Sequence, residues 1–263
     1  MGRGRRARRK KGELVRRVRL NNRDPEAWFE FGLFEYDHGE PSTAEKCFKR
    51  ALDLSDNKHA QSLAYLGVMR LDEGRYIDSE RLMRRALALD PDSAYLMGLL
   101  SAALCSLKRY DESLDLIRKA TEMDPENAAA WHQLAVVLHV TGDLIAGEKA
   151  ARRSLGIDPK NADHWVTLGV NLEKQERLAE AEDAYRTSVR IDPYFPMGHK
   201  CLEQLYLKTG RFEDAEMAWF PDLGEFAKSL SPEERTRLMD YVKIGEEALR
   251  ENVESMYLDD EPL

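Results

Sequence analysis

Residues 128–161 read AAAWHQLAVVLHVTGDLIAGEKAARRSLGIDPKN. Trp131, Leu134 and Ala135 lie three and one apart, Gly142 interrupts, Gly147, Ala151 and Ser154 follow at four and three, and Asp158-Pro159 closes the stretch. Spacings of three and four put side chains on one helical face. Proline ends a helix, and the residue before it avoids the α region. The stretch therefore predicts two short helices joined by a tight turn at Gly142, with small residues where their backbones meet.

The same stretch recurs along the chain. Asp-Pro pairs stand at 90–91, 124–125, 158–159 and 192–193, each 34 residues after the last. Large residues open the units at Trp28, Leu63, Met97, Trp131, Trp165 and, weakly, His199. Phe31, Leu66, Leu100, Leu134, Leu168 and Leu202 follow three later, then small Gly32, Gly67, Ser101, Ala135 and Gly169. Small residues return at Ala44, Ser79, Ser113, Gly147, Ala181 and Ala215, mostly with a bulky residue four further on, as at Phe48, Met83, Ile117 and Tyr185. Gly39, Gly74, Gly142 and Gly210 fall where each first helix must end. A fixed period of this length is the mark of a repeat architecture.

These residues resemble the tetratricopeptide repeat, whose motif places Trp, Leu, Gly and Tyr on a first helix, Ala, Phe and Ala on a second, and Pro at the end. The resemblance implies an all-α fold, a right-handed α-solenoid of helix–turn–helix repeats. Six units are expected, at 25–58, 60–93, 94–127, 128–161, 162–195 and 196–221, so that repeats occupy 24–221. Glu35 and Arg70 stand where the family prefers Tyr, and are expected to pair across a repeat boundary as an exposed contact of little worth. Beyond the array, 222–257 reads as a linker and a C-terminal capping helix. Its capping box is Ser231-Pro232-Glu233-Glu234, and Leu238, Val242, Gly245, Leu249, Val253 and Met256 form an apolar face. An acidic tail, 258–263, ends the chain.

Composition narrows the function. The chain has 263 residues, 43% hydrophobic and 33% charged, enough for a packed core. No apolar run reaches the ~18 residues that a membrane span needs. Cys47, Cys105 and Cys201 are too scattered for a disulfide framework or a metal knuckle, which fits a reducing compartment and a cytoplasmic protein. Dinucleotide-binding, P-loop, zinc-protease, serine-hydrolase and redox-dithiol motifs do not occur, so no enzyme and no cofactor is expected. His132 and His139 share a helical face, but seven residues place them ~10 Å apart along the axis, too far for one metal ion.

The resemblance also implies that first helices line a concave binding face. The positions expected there include Phe29, Leu33 and Tyr36, then Val68, Tyr95 and Ala102, then His132, Val136 and His139. The carboxylate clamp of chaperone-tail binders is absent, since its positions hold Phe29, Leu33, Tyr65, Tyr95 and Leu99. An apolar, aromatic groove suits an apolar segment or an amphipathic helix of a partner. The expected function is a non-enzymatic scaffold or adaptor for protein partners, with self-association left open.

Charge offers the alternative. Residues 1–23 hold eleven Arg and Lys against Glu13, so the net charge of −8 divides into +10 on this arm and −18 on the rest. The arm reads as disordered, with Arg3, Arg5, Arg6, Arg8, Arg9, Lys10 and Lys11 as an anion-binding run. A solvated tail, contact with RNA, DNA or the ribosome, nuclear or organellar targeting, and an anionic membrane surface all stay open on charge alone.

Overall fold

The computed structural model describes residues 2–216 and residue 218. These form helices α1 (Gly2–Leu20), α2 (Pro25–His38), α3 (Pro41–Leu54), α4 (Ala60–Asp72), α5 (Tyr76–Leu89), α6 (Ala94–Ser106) and α7 (Tyr110–Met123). They continue with α8 (Ala128–Thr141), α9 (Leu144–Ile157), α10 (Ala162–Lys174), α11 (Leu178–Ile191), α12 (Pro196–Lys208) and α13 (Phe212–Glu216). No strand occurs among the described residues, and the fold is an all-α repeat solenoid. The chain divides into two compact units, 1–125 with α1–α7 and 126–263 with α8–α13. The capping helix expected within 222–257 and the acidic tail lie outside the described residues.

Local chemistry sets the helix starts. First helices other than α12 begin behind a side-chain cap: Asp24 accepts from the Glu26 amide at 3.0 Å, His59 Nδ1 from Ser62 at 3.1 Å, and Asn127 from Ala130 at 3.0 Å. Each such cap satisfies one of the donors left unpaired at a helix start. The turn into the second helix needs a left-handed residue. Gly74, Gly142 and Gly210 supply it, and Lys108 and Glu176 adopt it at the equivalent places with φ near 60°.

Gly39 departs from this expectation, with φ −133°. Its lack of a side chain serves a different end: a Cβ there would run into the Glu35 carboxylate.

Helix pairs approach through their small residues. A Cβ on Gly32 would come within 2.7 Å of the Phe48 ring. In the third pair, serines replace Gly and Ala. The Ser101 and Ser113 hydroxyls lie 2.8 Å apart, and each donates to the other's carbonyl, at 3.1 and 2.8 Å. Two fully buried hydroxyls are thereby satisfied without opening the interface.

The outer surface carries a repeated order. Arg109, Arg177 and Arg211 precede second helices at the 34-residue period or its double. Each pairs with an acid three residues on and with one from the preceding second helix: Arg109 with Glu80 at 2.6 Å, Arg177 with Glu148 at 2.5 Å, Arg211 with Glu182 at 2.7 Å. Single exposed pairs contribute ~0–1 kcal/mol, and their value here lies in joining successive repeats.

The arm expected to be disordered is helical as α1. Its sequence explains this: Ala7, Leu14, Val15 and Val18 recur at helical spacing, and Val18 is buried. α1 packs on α2, as α3 packs on α4 and α11 on α12. It thus takes the role of a preceding repeat's second helix and caps the array with a polar outer face. Two ion pairs hold it. Arg17 bonds to Glu30, and Lys11 Nζ lies 2.8 Å from Glu35 Oε1.

The expected Glu35–Arg70 pair does not form. Glu35 is only 1% exposed and faces Lys11, while Arg70 bonds to Glu45 and Glu73. A carboxylate this buried requires a close cation, and α1 supplies it.

Candidate functional site

In the first unit, α2, α4 and α6 bring three tyrosines together. The Tyr36 and Tyr65 rings meet edge to face at 5.8 Å, and Tyr65 stacks on Phe48 at 5.4 Å. Tyr36 donates to Asp72 Oδ2 at 3.1 Å, and Tyr65 lies close enough to Tyr95 to act on its phenol. Burial pushes the Tyr36 and Tyr95 phenols up, so both remain protonated. Leu33, Val68 and Leu99 lie half-buried against the core beneath them. Ala102 is half-buried too, and Tyr95 is 44% exposed.

Gly98, on α6 beside Tyr95, has no packing reason to lack a side chain. A Cβ there would have only Ile117 Cδ1 near it, at 3.9 Å. Its effect is to leave open space on the strip.

Phe29 is not part of this surface. It is 7% exposed and packs among Phe48 (5.8 Å), His59 (5.0 Å) and Tyr65 (5.7 Å). Its helix, α2, is the one that residue spacing predicts. Insertion of Tyr65 over its ring, a contact between repeats, takes it into the core. Tyr65 and Asp72 complete the strip and are absent from the expected set. Tyr65 stands at one of the clamp positions that the resemblance implies, and its aromatic size is the signal that could have found it.

In the second unit, His132, Val136 and His139 lie half-buried on α8. His132 is already engaged. Its ring stacks on His164 at 4.9 Å, Nε2 lies 2.8 Å from Thr167 Oγ1, and Asp163 Oδ2 is 3.4 Å away. His139 lies beside Asn171. The expectation that His132 is a free groove anchor gives way to an intramolecular role, while His139 stays half-buried on α8. Among the described residues, no three His, Cys, Asp or Glu side chains gather in a metal-binding arrangement.

These histidines give the second unit a pH response. Burial lowers the pKa of His132 and His164, against the pull of Asp163 on both and Asp158 on His164. His139 is lowered by burial and by Lys174. A folded pKa below the ordinary ~6.5 means the unfolded chain takes up protons first as pH falls. Stability of this unit is therefore complete above pH ~6.5 and declines below it. The check is a lower urea midpoint at pH ~5.5 than at pH ~7.5, with the difference reduced in a His132→Asn/His164→Asn variant. Equal midpoints at both pH values in the parent would refute it.

Burial pushes the Cys47 and Cys201 thiols up to about 11, and raises Cys105 as well. Of the basic run, Lys11 is committed to Glu35 and Arg9 pairs with Glu13 at 3.0 Å, whereas Arg8 and Lys10 face solvent. The side chains of Arg3, Arg5 and Arg6 fall outside the described ones. No described helix is long and apolar enough to cross a membrane.

Similarity to known proteins agrees with this geometry. Tetratricopeptide repeat profiles match residues 70–138, and 29–94 with 142–196, together well over half the chain. TTC0263, a tetratricopeptide repeat protein of Thermus thermophilus, is 18% identical over 70% of this chain and 99% of its own, with a TM-score of 0.63. The Cut9–Hcn1 hetero-tetramer of the APC/C gives 15% identity, 80% and 44% coverage, and a TM-score of 0.71. A human IFIT1 dimer with m7Gppp-AAAA gives 19%, 78% and 53%, and 0.68. At such identities the likeness is one of fold. No curated protein sequence matches the chain. The repeat profiles, the paired helices and the small residues between them agree: the chain belongs to the tetratricopeptide repeat family.

Proposed function

We propose that this protein is a non-enzymatic interaction scaffold that holds an apolar segment or amphipathic helix of another protein on the first helices of its repeats. The observation that carries the reading is Tyr95. A large aromatic ring stays nearly half exposed beside a glycine that packing does not require. Aromatic side chains dominate interface energetics because they cover much area at little entropic cost. Leu33, Val68 and Leu99 provide an apolar floor, and Tyr36, Tyr65 and Asp72 a polar edge. Such a surface orients a partner's apolar side chains while leaving hydrogen-bonding sites at the rim. Catalysis has no support from the converging nucleophile, base and orienting group that an active site requires.

A peptide library selected on the intact protein provides the test. Selected peptides are expected to be rich in apolar and aromatic residues, and to lose ~10-fold in affinity on Tyr95→Ala. The melting temperature should hold within a few degrees, because so exposed a ring contributes little to the core. Peptides that bind Tyr95→Ala, Val68→Asp and the parent equally would remove this strip as the binding surface.

A further inference from the structure

Independently of that reading, we infer that α1 presents a rigid cationic stripe that binds the phosphodiester backbone of nucleic acid without regard to sequence. At 3.6 residues per turn, Arg8, Arg9, Arg16 and Arg19 fall within ~100° of arc, turned away from buried Val18. All four are exposed. No carboxylate among the described residues pairs with Arg8, Arg16 or Arg19, and the helix's one acid, Glu13, pairs with Arg9. Four like charges on one face of a helix repel one another. The helix persists because its other face is tied down by Val18, Lys11 and Arg17.

The form of the stripe favours nucleic acid over other anions. Arg8 to Arg19 spans ~17 Å of axis. A duplex carries one phosphate charge per ~1.7 Å, so it meets a straight row of cations in any register. An acidic protein would have to place its carboxylates individually. Insertion into a bilayer would require the apolar face, which α2 already covers. Gly12 adds an independent observation. It lies on the same stripe between Arg8 and Arg16, and a Cβ there would have no atom within 4 Å. Glycine inside a helix is unfavourable relative to alanine, and packing does not call for it here. Its effect is a notch in which a phosphate can approach the backbone between two guanidinium groups, each able to bind in bidentate fashion. No aromatic side chain lies on α1, so bases have nothing to stack on. The charge of −18 on the rest of the chain confines the anion to this one helix.

The test is fluorescence anisotropy of the full chain with labelled 20-base-pair DNA and RNA duplexes of one mixed sequence, and with the single strands. Four phosphate contacts predict a salt slope near −3.6 on duplex DNA, a ~100-fold loss of affinity between ~50 and ~200 mM salt. Scrambling the sequence should change nothing. An Arg8→Gln/Arg9→Gln/Arg16→Gln/Arg19→Gln variant keeps Lys11, Arg17 and Val18, and its circular dichroism and melting should match the parent. Its affinity at ~50 mM salt should fall at least ~30-fold. Gly12→Leu should weaken binding while leaving helix content intact. The ranking of DNA, RNA and single strands identifies which backbone fits best. Binding that survives in the quadruple variant, or no binding at ~50 mM salt, overturns the inference. So does equal binding to poly-glutamate, or binding to phosphatidylserine vesicles in place of duplexes.

Discussion

Phe29→Ala is expected to cost ~3–5 kcal/mol of stability, the range for deleting a buried aromatic ring. Its ring fills the space between Phe48, His59 and Tyr65, and few neighbours can collapse into the hole. Phe48 belongs to the same repeat, whereas His59 and Tyr65 lie before and in the next, so the loss uncouples α2–α3 from α4. In a repeat array each unit touches chiefly its neighbours. Hydrogen exchange should therefore accelerate first in α2–α4. Urea unfolding followed by circular dichroism measures the total. A shift below ~1 kcal/mol would return Phe29 to the exposed strip. Phe29 and Tyr95 are two aromatic residues on first helices of the same unit, one buried in the core and one nearly half exposed.

Gly169→Leu is expected to destabilise by ~1–3 kcal/mol or more, the cost of forcing atoms into a packed core. A Cβ at this position would already lie 2.6 Å from Tyr185 Cδ1. The ring cannot swing aside. It is almost fully buried, and its hydroxyl donates to Glu173 Oε2 at 3.0 Å. Gly67 faces Met83 in the same register, and a flexible thioether chain there would yield more readily. The internal control is Gly156→Ala, where a Cβ has no atom within 4 Å. Alanine should stabilise that helix by ~0.5–1 kcal/mol. Opposite signs for the two glycines, measured by thermal melting, separate close helix contact from intrinsic helix preference. A Gly169→Leu protein that melts with the parent would mean that α10 and α11 do not meet at this residue.

The 34-residue period, the Asp-Pro stops and the small residues at fixed offsets are local signals, and they were enough to specify the paired helices and the family. Each depends only on spacing along one helix or on the backbone limits of Gly and Pro, which act before any tertiary contact forms. The groove was legible in part. Register named Leu33, Tyr36, Val68, Tyr95 and Ala102 as residues of first helices, and all five remain at least partly exposed in the first unit, with the Tyr36 phenol at the rim against Asp72.

What register could not show is how far a neighbouring side chain covers a given position. Tyr65 closes over Phe29, and His164 closes over His132, because each comes from the following repeat, 36 residues beyond Phe29 and 32 beyond His132. The arm shows the same division. Its charge was plain, and charge alone implied disorder. Helix α1 is ordered by three contacts that exist only once α2 is folded beside it: Val18 against the array, Arg17 with Glu30, and Lys11 with a Glu35 that folding removes from water. A carboxylate at position 35 has no cost in an extended chain. Burial gives it one, and so makes a distant lysine part of the fold.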